Sequence, residues 1–302
     1  MTLKKLLLGT LAAACLSLPT ISEAVAQDKA FIPLLVYRTG PFAPSGIPLA
    51  NGFVDYFKTI NARGGVNGVQ ILWEECETQY DTKQGVECYE KVKGLHGGAL
   101  IINPYSTGIT YALIPKTTTD KIVIHSMGYG RTDAGDGRVF PWVFTVPTSY
   151  WSQASAFVKY VADQMGGTDK LKGKKIAVIY HNSPYGKEAI PTMEALAKQH
   201  GYELTLLPVD SPGQEQKATW LQVRRLKPDY IFFRGWGVMN QVGVKEAAAI
   251  GFPMDRIVGN WWSGSDGDVR PAGKDTVGYK AFAFHSPGTD SKLHRDILNA
   301  SS

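Results

Sequence analysis

The chain has 302 residues, enough for two domains of ordinary size, with 44% hydrophobic and 20% charged residues. That balance excludes a disordered or fibrous chain. The net charge of +5 comes from scattered Lys and Arg, a statement about solubility; nucleic-acid binding is not expected.

Residues 1–26 read as a secretory signal. Lys4 and Lys5 begin it, Leu6 to Leu18 form its apolar core, and Ala24-Val25-Ala26 offers a small-x-small cleavage site. The apolar run is too short to span a bilayer comfortably, and no other stretch reaches roughly 18 apolar residues. A periplasmic location follows, with a lipid anchor through Cys15 as the alternative.

After that segment, strands and helices alternate. Phe31–Tyr37 is an apolar strand, followed by a Gly/Pro-rich loop and a helix from Pro48 to Ala62. Val69–Trp73 is a strand, and Thr82–Lys93 a helix with Asp81 as its N-cap. Ala99–Ile102, Ile122–His125 and Trp142–Thr145 read as strands, with a helix over Thr107–Thr118. Beyond a break near Phe144–Ser149 the pattern resumes: helices over Tyr150–Gln164, Tyr185–His200, Gln214–Leu226 and Val238–Ile250, strands over Lys174–Tyr180, Glu203–Val209, Tyr230–Phe233 and Ile257–Asn260. Strands apolar at consecutive positions are buried on both faces, the mark of parallel sheets covered by helices. The expectation is an α/β fold of two Rossmann-like lobes.

In open parallel sheets, ligands sit beyond the carboxyl ends of the strands. The loops there are rich in Gly, Ser, Tyr and Trp, a composition suited to a small-molecule pocket. No P-loop, GxGxxG, HExxH or GxSxG is present. No nucleophile or metal constellation emerges, so neither an enzyme nor a cofactor is expected. Cys76 and Cys88 are expected to form one disulfide in an oxidising compartment, with two free thiols as the alternative. The six His have no paired spacing with these cysteines, so zinc is not expected.

Several loops, taken in order, carry a resemblance. They are Thr39-Gly40-Pro41, Gly52, the run Ile60–Gly68 (INARGGVNG), Pro104–Gly108, Phe144–Gln153, Ser183–Gly186 and Lys227–Tyr230. Together they resemble the leucine/isoleucine/valine-type periplasmic binding proteins. The resemblance implies two lobes joined by three crossovers, closing on a ligand like a hinge. It further implies delivery to an ABC permease in the inner membrane. On that plan residues 27–145 are the first part of lobe one and 146–284 lobe two, with a second crossover near Phe284–Pro287. Residues 285–302 return into lobe one. The family is usually longer, so a C-terminal truncation is expected, a shorter variant being the alternative.

Carried over by position, Ser106 and Thr107 fall where the family holds a ligand carboxylate, beside Tyr105. Ser126 and Gly128 fall where a second hydroxyl or amide contributes. Tyr150, Tyr185, Trp236 and Trp261 are the ring candidates, and Arg234 and Arg38 the candidate counter-ions. Amino-acid binders of this family hold the ammonium group with acidic side chains. Tyr150 and Trp261 stand at those positions here, so an aromatic or aliphatic carboxylate is expected ahead of an amino acid. Asp266 remains a candidate for the ammonium. The alternative function is the ligand-sensing domain of a signalling receptor with the same fold.

Overall fold

In this computed structural model the described residues are 29–286 and 288–301. The expected signal segment, Cys15 and Pro287 lie outside them. Two parallel sheets with the same strand order form two lobes.

In lobe one the first strand position is made of β1 (Lys29–Phe31) and β2 (Leu34–Val36). Pro33 lies between them and has no N–H to offer a ladder, so the expected single strand is interrupted. β3 (Gln70–Leu72) and β4 (Glu75–Glu77) run parallel to these two segments on one side. On the other side come β5 (Ile101–Ile102), β6 (Val123–Met127) and β7 (Val143–Val146), all parallel. A Leu34–Asn103 bridge and the Leu100 N–H donated to Phe31 O join β5 to the first strand. Helices α1 (Ala43–Ala62), α2 (Thr82–Val92) and α3 (Thr107–Asp120) cover the sheet.

α1 begins five residues before the expected start at Pro48, because Pro44 in its first turn needs no donor there. Asp81 caps α2 as expected, accepting the Gln84 N–H at 2.8 Å. Cys76 and Cys88 are disulfide-bonded, tying β4 to α2.

The chain enters lobe two at α4 (Tyr150–Met165). Next come β8 (Lys175–His181), α5 (Pro184–Lys187), α6 (Ile190–His200), β9 (Glu203–Val209) and α7 (Lys217–Leu226). β10 (Tyr230–Arg234), α8 (Val238–Ala249), β11 (Ile257–Gly259), α9 (Asp266–Val269) and β12 (Lys280–Ala281) complete it. The order β12-β11-β10-β8-β9 is parallel throughout. Ile176, Val178 and Phe232 pack beneath Phe157 and Val158 of α4, whereas Ala177, Ile179, Ile231 and Phe233 pack against Trp220 and Val244 on the opposite face. Both faces are dry, which is why these strands carry unbroken apolar runs.

The helix expected over Tyr185–His200 is two helices, with Pro191 opening the second. The break leaves Glu188 and Ala189 between them. Finally α10 (Lys292–Ser301) returns to lobe one, where Asp296 pairs with Arg63 at 2.8 Å beside α1.

Candidate functional site

In each lobe the second strand of the sequence lies on one side of the first and the third on the other, so the connections diverge between strands one and three. Crevices form at such switch points, beyond the carboxyl ends of the strands. In lobe one the switch point brings Tyr37, after β2, beside Tyr105, Ser106 and Thr107, after β5. In lobe two it brings Tyr185, after β8, beside Trp236, after β10. All six line one narrow space between the lobes, whose free volume of about 20 Å³ is far below the ~300–1,000 Å³ usual for small-molecule sites, so a guest has to part the rings to enter.

Local backbone needs fix the rings. A Cβ on Gly46 would lie 2.0 Å from Tyr37 O, and one on Gly186 would lie 1.8 Å from His181 O. Only glycine lets α1 and α5 approach the strand ends so closely. Tyr105 has φ of +55° and sits just before the Ser106 N-cap.

The wall is aromatic and crosses the cleft. Tyr37 meets Trp236 edge-on with ring centroids 6.3 Å apart, and Trp236 meets Trp262 at 5.7 Å. Tyr129 of lobe one approaches Trp262 of lobe two at 6.5 Å. Most polar groups of this wall are already engaged. The Tyr185 hydroxyl donates to Gly235 O at 2.7 Å and accepts from Asn260 Nδ2. The Tyr129 hydroxyl donates to Asn103 Oδ1 and accepts the Tyr105 N–H at 2.7 Å. Tyr150 accepts from Trp262 Nε1 at 2.9 Å.

Three residues lining the cavity each carry a buried polar atom without a hydrogen-bonding partner among the described residues: Tyr37 OH, Tyr105 OH and Trp236 Nε1. Buried polar groups are nearly always paired, so three orphans around one space mark it as built for a polar guest. At the N-terminus of α3, the Thr107 and Gly108 amides have no carbonyl one turn back to accept them. Their dipoles favour an anion. Burial pushes the Tyr37, Tyr105, Tyr129 and Tyr150 hydroxyls up, so all stay protonated donors. None of the lining residues is acidic or basic.

Ser106, Thr107, Tyr105, Tyr150, Tyr185 and Trp236 therefore line the space, and six candidates do not. Ser126 lies beneath Gly130, its Oγ 2.8 Å from where a Cβ there would stand. Gly128 is covered by Phe284 and accepts the Trp261 Nε1–H at 3.0 Å. Trp261 stacks on Tyr150 at 5.4 Å, and its neighbour Trp262 takes the place at the cavity. Arg234 is fully buried behind the rings of Tyr150 and Tyr185. Arg38 is occupied by Glu75 at 2.6 Å, and Asp266 is an exposed partner of Arg270, so neither reaches a guest. Sequence reasoning missed Tyr37, Leu49, Tyr80, Tyr129 and Trp262. The position of Tyr37 at the carboxyl end of the first strand is the signal that could have found it.

At the lip, Glu188 clasps the lobes. Its carboxyl accepts the Thr132 N–H at 2.6 Å and a hydrogen bond from the Tyr111 hydroxyl, both from lobe one. Burial pushes this carboxyl up to about 7, against the opposing pull of the Thr132 N–H and Arg234. Arg131, Asp133 and Lys187 flank it. His181, also buried, is pushed down to about 4 and stays neutral.

Comparison with known proteins agrees with this architecture. A family model described as periplasmic binding protein matches residues 29–301. The Leu/Ile/Val-binding protein BraC3 of Rhizobium johnstonii is 24% identical over 298 residues, covering 94% of this chain and 78% of that protein. A structure from the Pseudomonas fluorescens group, described as an ABC transporter permease, has a TM-score of 0.80 and 43% identity over 90% of this chain and 66% of that one. An ABC-transporter solute binding protein from R. palustris in complex with benzoate shares the fold, with a TM-score of 0.73 at 17% identity over 90% and 73% of the two chains. The chain thus spans between 66% and 78% of the length of these three proteins.

Proposed function

Because this chain belongs to the periplasmic binding proteins, of the type that includes the Leu/Ile/Val-binding proteins, we propose that it is the extracytoplasmic receptor of an ABC importer. Its lobes close on one small carboxylate, an aromatic acid ahead of an amino acid, and present it to permease subunits in the inner membrane. The observation that carries this reading is the cavity itself: aromatic walls, three unpaired donors and the open amides of α3, with no charged side chain in the lining. A carboxylate accepts from those donors, and a ring lies against the tyrosines and tryptophans.

An amino acid brings an ammonium group as well. Desolvating it without a counter-charge costs several kcal/mol. The nearest buried acids are committed elsewhere: Asp268 accepts from Asn240 and Ser265, and Glu188 from Thr132 and Tyr111. No helix among the described residues is long and apolar enough to cross a membrane.

Calorimetric titration with benzoate, 4-hydroxybenzoate, leucine and valine tests the proposal. Saturable one-to-one binding of the aromatic acids with silence from the amino acids supports it. Selective binding of leucine or valine overturns the ligand class.

A further inference from the structure

The cavity is neutral, yet a full positive charge stands directly behind its wall. Arg234, the last residue of β10, is 0% exposed. Neutral oxygens meet its guanidinium. Nε donates to Gly186 O at 3.2 Å, Nη1 to Gln153 Oε1 at 3.0 Å and Nη2 to Tyr185 O at 3.0 Å. It forms no ion pair with any carboxylate among the described residues. Glu188 feels its field from a distance but is held at the lip by Thr132 and Tyr111. A buried cation without a counter-ion is costly, and an apolar side chain of similar volume would fill the space more cheaply.

Its surroundings are built to keep that charge. The guanidinium carbon lies 4.6 Å from the Tyr150 ring centre and 5.4 Å from that of Tyr185 and of Phe232. Aromatic faces are negative and attract a cation at this range. Tyr150 and Tyr185 are also cavity walls. Trp261 stacks on Tyr150, so a guest meets these rings at their edges and sits roughly 7–8 Å from the guanidinium. The intervening matter is ring and side chain, which screens far less than water.

We propose that Arg234 is a specificity-determining residue that acts at a distance: its charge, transmitted through the Tyr150 and Tyr185 rings, makes the neutral cavity select a monoanionic guest over an uncharged isostere of the same shape. It is a positioning and field residue and touches no ligand. The inference rests on the carboxylate reading above.

The test is calorimetric titration of the whole protein with benzoate and with benzamide at pH 8, for the native chain, Arg234→Gln and Arg234→Lys. A unit charge about 8 Å away, at an effective dielectric of roughly 20, accounts for about a thirtyfold preference. The native protein is expected to prefer benzoate by tenfold or more. Arg234→Gln is expected to lose most of that ratio, and Arg234→Lys, which keeps the charge but loses the fork, to retain it. If both compounds weaken by the same factor in Arg234→Gln, the residue is only a structural prop and the inference fails. A native protein that binds benzamide as well as benzoate also overturns it, whether or not the variants fold. Binding of neither compound refutes the carboxylate reading itself, a separate outcome.

Discussion

Raising the pH from 5.5 to 8 should loosen the closed form through one carboxyl, Glu188. In the closed form burial holds it at about 7 against an ordinary value of 4.5. In an open form, with Thr132 and Tyr111 withdrawn, it returns to ordinary solvent. Closure therefore takes up a proton. The contribution is fully present below about 4.5 and is lost as the pH rises through about 7. Between pH 5.5 and 8 the two values give a roughly twenty-five-fold weakening of any ligand whose binding requires closure. Benzoate stays ionised over this window, and His181 is neutral in the closed form. Glu188→Gln keeps an oxygen for the Thr132 N–H and removes the titration. Calorimetric benzoate affinities at half-unit pH steps should fall across the window in the native chain and lie flat in Glu188→Gln. Equal slopes in the two proteins, or a flat native profile, would refute the clasp.

Tyr37 and Tyr105 line the space and their hydroxyls are buried without protein partners, so if the guest takes them up, Tyr37→Phe and Tyr105→Phe should each weaken benzoate by about threefold to tenfold, one ordinary hydrogen bond. The melting temperature of the unliganded protein should barely change, and a large fall would show instead that these hydroxyls are structural. The disulfide spans a separation of 12 residues, a loop whose closure contributes about 3 kcal/mol. Cys76→Ala/Cys88→Ala should melt about 6–12 °C lower, at the ~2–4 °C per kcal/mol expected of a domain this size. Its benzoate affinity at 20 °C should stay native, because neither cysteine lines the cavity.

The sequence carries much of this fold in plain form. Runs such as Ile176–Tyr180 and Tyr230–Phe233 are apolar at every position because helices cover both faces of their sheet. β4 is hidden for the opposite reason: Glu75-Cys76-Glu77 alternates charge at the sheet margin and has no apolar run to show. The site is half legible. Ser106 and Thr107 stand at a helix N-terminus after a strand, a local pattern. The choice of Trp262 over Trp261 depends on which ring points inward, and adjacent residues of one type leave no local signal for that. Arg234 reads as a counter-ion because it follows an apolar strand, yet its side chain turns back beneath Tyr150. Glu188 falls inside the single helix expected over Tyr185–His200, and the break before Pro191 leaves it bonded across the cleft.

Two switch points, one in each lobe, are expected to share one guest. A crystal structure of the protein grown with benzoate tests that directly. It should show a single molecule between the lobes, its carboxylate within hydrogen-bond reach of the Thr107 amide or the Tyr37, Tyr105 and Trp236 donors, and its ring against Tyr185 or Trp262. Benzoate bound outside this space, or a cavity still filled only by the protein's own rings at saturating benzoate, would contradict it.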